Sequence, residues 1–414
     1  MKVLLVGNHT CGNRGDGAIL RGLIASLRKA EPAIELTLIT RFPTSSEFLI
    51  GEPFLPDTLN RYHGKRASGL AKIWSRYSKK FLPEQLHKNV KNNTRSNLPA
   101  HITEYLDFLK PFDAVIQVGG SFFVDLYGSK QFEHSLCALI AGKPLFLLGH
   151  SVGPFQNDGF NKIAKTVFSQ AQNVALRESV SKELMMEAGL MSDKVSEGAD
   201  TAWLVPTSHN IPNKYAHYFA QRPVVAITLR ELKPFDKRLG IKQADYEVAF
   251  AELAKKLIAD GFDILALSTC TGIDSYTKDD RMVAFRVQKL VADDNHFNVV
   301  MDEVNDVELG ELLSGCKLTI GTRLHSAIIS KNFGTAAIAL NYEHKSLGIM
   351  QQLGLNDFSR TVHSLFDNTL YEFARSLLVD NKLSEYNIEA QVELERQKAD
   401  KMIVDCVSTI KKLK

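Results

Sequence analysis

Three arginines of this 414-residue chain stand at or just beyond the end of an apolar run: Arg177 after residues 173–176, Arg230 after 224–229, and Arg323 shortly after 317–320. Alone, an arginine so placed is ordinarily half of a surface salt bridge. Two or three that converge would make an anion site, because guanidinium forks match carboxylate and phosphate geometry. Arg323 belongs to Gly321-Thr322-Arg323-Leu324-His325, which leaves one run and opens the apolar helix around 327–329. A helix N-terminus offers an anion unpaired N–H groups and a positive dipole end. His325 either moves protons near neutral pH or caps and packs the helix.

A second polar set fills Gly7-Asn8-His9-Thr10-Cys11-Gly12-Asn13-Arg14-Gly15-Asp16. It spells neither GxGxxG nor the GK[ST] of a P-loop, so nucleotide binding by those routes is not supported. Asn8, His9, Asn13, Arg14 and Asp16 are residues of the kind that recognise sugar hydroxyls. They would equally cap the following helix, with Asp16 as N-cap. Gly119-Gly120-Ser121 and His150-Ser151 end two further runs. Lys345 stands just after another, where it meets the same anion or is simply solvated. The pair Asp279-Asp280 is only superficially like a metal cluster and reads as a helix start, so no metal is expected.

These positions have meaning only if the runs are strands of parallel sheets, whose ligands bind beyond the carboxyl ends. Residues 2–6, a Gly-rich turn, a helix with Ile19, Leu20, Leu23, Ile24 and Leu27 at helical spacing, and residues 34–40 give a βαβ pattern. Strands are expected again at 114–118, 145–148 and 173–176, and then at 224–229, 264–268, 299–301, 318–320 and 336–340. Residues 388–413 form a charged amphipathic helix. The fold class is α/β: two Rossmann-like, doubly wound domains facing a cleft. The first spans 1–210, with a basic, partly helical and mobile insertion at about 43–100. The second spans 211–414 and ends in the C-terminal helices.

Composition narrows the class of protein. At 44% hydrophobic and 23% charged residues the chain is globular. Its five scattered cysteines form no CxxC pair, which excludes a cysteine-based zinc site and argues against a disulfide framework. The apolar runs are far shorter than a membrane span, and the one at the N-terminus is too short for a signal peptide, so a cytoplasmic protein is expected. The net charge of +3 conceals +9 between residues 61 and 95, which leaves −6 for the rest. A basic stretch on an acidic protein is a solvated loop or faces an anionic surface. No nucleic-acid module accompanies it, so nucleic acid is not expected as a partner.

In order along the chain stand Gly7-Asn8 to Asp16, Gln117-Val118-Gly119-Gly120-Ser121-Phe122-Phe123, His150-Ser151-Val152-Gly153-Pro154, Leu176-Arg177-Glu178-Ser179, Asp200-Thr201-Ala202, Gly321 to Ser326, and Tyr342 with Lys345. Together they resemble the polysaccharide pyruvyl transferase family from end to end, most nearly its colanic-acid-type branch. The resemblance implies a glycosyltransferase-B-like pair of domains and transfer of a pyruvyl group from phosphoenolpyruvate to a sugar, commonly galactose O4 and O6, as a cyclic ketal. It implies a donor site at Arg323, Leu324 and His325, with Arg230 as second arginine and Arg177, His150 and Lys345 beside them; His325 and Arg323 are catalytic. The acceptor falls to Asn8, His9, Asn13, Arg14, Asp16 and Ser121, and no cofactor is needed. The family often carries Asp-Glu in the first loop where this chain has Asp16-Gly17, so no role falls to position 17. The acceptor would be a galactose-containing, lipid-linked oligosaccharide at the inner membrane, with residues 61–95 on anionic lipid. A nucleotide-sugar glycosyltransferase of the same fold and a non-catalytic glycan-binding assembly protein are the alternatives.

Overall fold

The computed structural model describes residues 1–8, 10–60, 70–233, 235–273, 279–341 and 350–414. Among the described residues two sheets form, and every strand pairing in them is parallel. The first has eight strands: β1 (Lys2–Asn8), β2 (Glu35–Thr40), β3 (Leu55–Pro56), β4 (Ala114–Gln117), β5 (Gly120–Phe123), β6 (Leu145–Val152), β7 (Asn173–Leu176) and β8 (Val195–Glu197). Their order is β3-β2-β1-β4-β6-β7-β8, with β5 paired to β6. The second has six: β9 (Val224–Thr228), β10 (Asp263–Ala266), β11 (Phe297–Val299), β12 (Leu318–Gly321), β13 (Ala337–Asn341) and β14 (Ser359–Thr361), in the order β11-β10-β9-β12-β13-β14. Strand order therefore reverses between β1 and β4 in one sheet and between β9 and β12 in the other. Those are the switch points where open parallel sheets hold ligands.

The expected α/β class is the one observed. Runs such as Val3-Leu4-Leu5-Val6 and Val224-Val225-Ala226-Ile227 are buried throughout, as strands covered on both faces require. Strands β3, β5, β8 and β14 were not legible in the sequence. They have two to four residues each and lack the long apolar runs of their neighbours.

The chain divides into two compact units. The first comprises Met1–Thr10, Ile19–Leu204 and Arg396–Lys414, and the second comprises Cys11–Ala18 and Val205–Glu395. This differs from a simple boundary at 210. The last turns of the helix Ile388–Lys412 group with the first unit because Ala399, Ile403, Val407 and Ile410 are buried and Asp400 accepts hydrogen bonds from Ser26 and Lys29, at 2.9 and 2.8 Å. The stretch after Val205 groups with the second unit, where Tyr215 donates to Asp302 at 2.8 Å.

The expected insertion is more than a solvated loop. Its helix Leu70–Asn92 buries Leu82 and Leu86 in the core of the first unit, and His87 bonds Thr166 at 2.8 Å. Residues 61–69, the start of the basic stretch, lie outside the described residues; Lys88, Lys91 and Arg95 are exposed.

His150 is a core histidine and not a donor ligand. It is fully buried on β6, its ring 5.0 Å from that of Phe123, with Nε2 3.2 Å from the Gln117 carbonyl. Burial pushes its pKa down to about 4; the Gln117 carbonyl opposes the shift and the charge of Arg177 adds to it. The native state thus refuses a proton that the unfolded chain accepts near the usual 6.5. Stability carried by the neutral ring is therefore present above pH 6.5 and lost as pH falls toward 4. Denaturant unfolding across that range should show this loss, and His150→Gln should flatten it.

Candidate functional site

Arg230 and the Gly321–His325 segment leave neighbouring strands at the switch point of the second sheet. Hydroxyl groups tie the two strand ends together. Tyr246 Oη accepts the Arg230 N–H at 3.3 Å and lies 2.6 Å from Thr322 Oγ1, which donates to the Thr228 carbonyl at 3.2 Å. Thr228 Oγ1 in turn donates to Ser326 at 2.8 Å, and Ser326 Oγ donates to the Arg323 carbonyl at 2.6 Å. The Tyr246 phenol is fully buried, and burial keeps its pKa well above the usual value, so it remains a hydrogen-bond donor. Gly321 is required here: any side chain would collide with Thr228 and Ser326 hydroxyls.

Arg323 is the N-cap residue of the helix Leu324–Asn332 and supplies no side-chain cap. Its side chain is instead clamped by Asp280, with Nε and Nη2 donating to the two carboxylate oxygens at 2.7 Å each. Asp280 opens the helix Asp280–Val291 and accepts the Cys270 N–H at 3.1 Å, so three elements converge on one carboxylate. Its neighbour Asp279 caps that helix by accepting the Arg281 N–H at 3.1 Å. The acidic pair is thus a helix start, and it also fixes the key arginine. Arg230 stacks over the Phe235 ring, 5.1 Å to its centroid, and donates from Nε to the Glu231 carbonyl at 3.1 Å.

The first loop arrives at the same place. Asn13 bridges Cys270, the Arg14 N–H donates to the Thr269 carbonyl at 2.7 Å, and the Thr271 N–H donates to the Gly12 carbonyl at 3.1 Å. Gly15 lies against the imidazole of His325, so closely that a β-carbon there would overlap the ring. The two sharpest motifs of the sequence therefore meet.

Several expected ligands have structural work instead. Arg14 is only 1% exposed, and its guanidinium is consumed by Glu303, the Val304 and Cys11 carbonyls and Thr271. It braces the loop and is not placed to bind a sugar. Asn13 accepts the Gly15 N–H at 3.1 Å, so it caps the helix Arg14–Ala30, while Asp16 lies within the first turn rather than at the N-cap. Arg177 sits in the first unit, 2% exposed, donating to Ser151 at 2.7 Å, Asp200 at 2.6 Å and Ser121 at 2.8 Å. It is a brace for Ser121 and Ser151. Asn8 ends β1 and Ser121 lies on β5, both in the first unit. His9 and Lys345 lie outside the described residues. Asp280 as a clamp, Tyr246 and Glu303 were missed because each acts through a contact far away in sequence.

With this geometry in hand, the comparisons identify the class. The model of the family described as polysaccharide pyruvyl transferase matches residues 13–344, and the chain belongs to that family of transferases. It is 50% identical over 419 residues to the amylovoran biosynthesis protein AmsJ of Erwinia amylovora, covering 99% of this chain and 100% of that protein. Solved structures share the fold alone. The UDP-GlcNAc 2-epimerase of Neisseria meningitidis has a TM-score of 0.60 at 16% identity, over 99% of this chain and 100% of that one. Anabaena Alr3699/HepE, in complex with UDP and glucose, has a TM-score of 0.60 at 12% identity, over 99% and 98%.

Asp280→Asn should remove the carboxylate that grips Arg323 through Nε and Nη2. Losing one partner of a largely buried pair costs about 3 kcal/mol, which equilibrium denaturation would read.

Proposed function

We propose that the chain transfers the pyruvyl group of phosphoenolpyruvate to a galactose of an exopolysaccharide repeat unit, closing a ketal on O4 and O6 and releasing phosphate. The observation that carries the donor assignment is that Arg230 and Arg323 leave adjacent strand ends at a switch point, where the Tyr246 phenol joins the Arg230 N–H to the Thr322 hydroxyl, with His325 in the first turn of the helix that follows. Phosphoenolpyruvate brings a phosphate and a carboxylate on neighbouring atoms. It therefore suits two guanidinium groups and a helix N-terminus better than one cation alone.

The reaction adds one sugar hydroxyl to C2 of the donor while C3 takes up a proton and becomes the methyl group. The C2–O bond to phosphate then breaks, and the second hydroxyl closes the ring on the resulting cation. One hydroxyl proton ends on the methyl carbon and the other on phosphate, so the sum balances without oxidant or metal. Arg323 and Arg230 stabilise the charge that develops on the departing phosphate. His325 carries the proton between the hydroxyl and the donor carbon. Asp280 keeps Arg323 in one orientation, so little rotamer freedom is lost when the donor binds. We assign the acceptor to the first unit, with Asn8 and Ser121 as its candidate ligands.

Phosphate release from phosphoenolpyruvate in the presence of a β-galactoside, with the matching mass gain of the sugar, is the direct test. His325→Ala should lower turnover by about 10²–10⁴-fold. Arg323→Lys should chiefly raise the KM for the donor, because an ammonium cannot reproduce the fork. Wild-type kinetics in both variants would refute the assignment. Gly15→Ala, which pushes on the imidazole without touching either arginine, should cost about 10²-fold in turnover in the same assay.

A lipid-linked acceptor would bring residues 61–95 to an anionic surface, where each cation contributes about 1 kcal/mol. No described helix is long and apolar enough to cross a membrane. Flotation with anionic but not neutral vesicles is the expected outcome. Equal behaviour with both vesicle types would remove the surface contact.

A further inference from the structure

The first sheet has its own switch point, between β1 and β4, and a pocket opens at the carboxyl ends of those strands. It is a small open cavity of about 40 Å³, with about 500 Å³ of empty space once the solvent at its mouth is counted. Gly7 and Asn8 of β1 and Gln117 of β4 form one part of the wall. The functional lining is Arg41, Asp57, Asn60, Phe122, Lys130 and Glu133. Apart from Asn8, none of these has been assigned to a ligand above.

The chemistry of the lining selects among ligands. Arg41 and Lys130 face Asp57 and Glu133, and beside two carboxylates an isolated anion gains little. Glu133 is 3% exposed and stands in the first turn of the helix Glu133–Ile140, where its charge occupies the position a phosphate would need. A nucleotide or diphosphate is therefore poorly matched. Hydroxyl groups both donate and accept, so a neutral polyol can use the carboxylates, the cations and the amides together. Phe122 adds an apolar ring to one wall, suited to the C–H face of a pyranose. Gly120 makes room for that ring, since a β-carbon there would strike it.

The principal acceptor is fixed in advance. One oxygen of Asp57 takes the Asn60 N–H at 3.0 Å and the other lies 3.1 Å from His134 Nε2. His134 Nδ1 is in turn 2.8 Å from the Tyr105 hydroxyl, which extends the chain from the carboxylate through the ring to the phenol. Burial works against ionisation of Asp57, but the charge and hydrogen bond of His134, the Asn60 N–H and Arg41 outweigh it and hold its pKa below the usual value. A carboxylate so held loses no rotamer freedom on binding and still has lone pairs for two sugar hydroxyls.

We propose that this pocket seats one uncharged hexopyranosyl residue of the acceptor glycan, gripped by Asp57, Arg41 and Lys130 against the Phe122 ring. The assignment rests on the transfer reading above, but it is tested without turnover. Saturation-transfer NMR with methyl β-galactopyranoside and the full-length protein, without donor, reads sugar binding. A thermal shift with phosphoenolpyruvate reads the donor site separately.

The wild-type protein should saturate the sugar ring protons. Asp57→Asn, and the milder Phe122→Ala and Lys130→Ala at partly exposed positions, should each weaken that signal at least fivefold while leaving the phosphoenolpyruvate shift unchanged. Unaltered saturation in folded Phe122→Ala and Lys130→Ala would place the sugar elsewhere and overturn the proposal. So would competition by inorganic phosphate, which would make the pocket an anion site. No sugar signal beside an intact donor shift would also refute the pocket and leave the donor assignment standing. Sugar binding lost in the variants, with no donor shift in any protein, would support the pocket and sink the transfer reading.

Discussion

The bidentate pair of Arg323 and Asp280 is the constraint around which the second unit's site is arranged. Asp280 begins one helix and Arg323 caps another, and the carboxylate also takes an N–H from the loop after β10. An arginine at a helix N-terminus would otherwise be repelled by the dipole and would sample many rotamers. The carboxylate supplies the opposing charge and fixes the plane of the guanidinium. It grips the guanidinium at two points, through Nε and Nη2, a hold that the single ammonium of a lysine cannot offer.

Around that pair the hydroxyl chain through Tyr246, Thr322, Thr228 and Ser326 performs a different task. It converts two strand ends, each with backbone groups that have lost their ladder partners, into one hydrogen-bonded rim. Each donor polarises the next, so such chains are stiffer than their separate bonds imply. Both sheets repeat one architectural choice: polar side chains gather where strand order turns back on itself. In the second sheet those side chains are chiefly arginines and hydroxyls, and in the first they are carboxylates facing cations, with amides and an aromatic ring. The same backbone rule thereby serves two different chemistries.

Much of this was legible in the sequence, for physical reasons. Buried parallel strands leave continuous apolar runs, and the residues that follow them stand at the ligand-binding edge, so Arg230, Arg323 and His325 could be located from position alone. Position does not reveal what a side chain touches. Arg14 and Arg177 occupy equally suggestive places, yet both are buried and matched by Glu303 and Asp200 from distant segments. His150 looked like a ligand because it ends a strand, and the aromatic cluster around Phe123 that encloses it is assembled only by the fold. Asp280 could be seen as a helix start, but its pairing with Arg323 spans 43 residues. The pocket lined by Asp57 and Lys130 draws on a segment whose periodicity was too weak to place.

The exchange of segments between the two units has a consequence for how such a chain can change over time. Residues 11–18 are covalently part of the amino-terminal half but complete the other unit, and the last nineteen residues do the reverse. Swapping one half for that of a distant relative would hand Glu303 and Thr271 a foreign loop in place of Arg14. Each lobe is therefore bound to inherit a piece of its partner's history, and new specificities are easier to reach by altering side chains at the strand ends than by recombining halves.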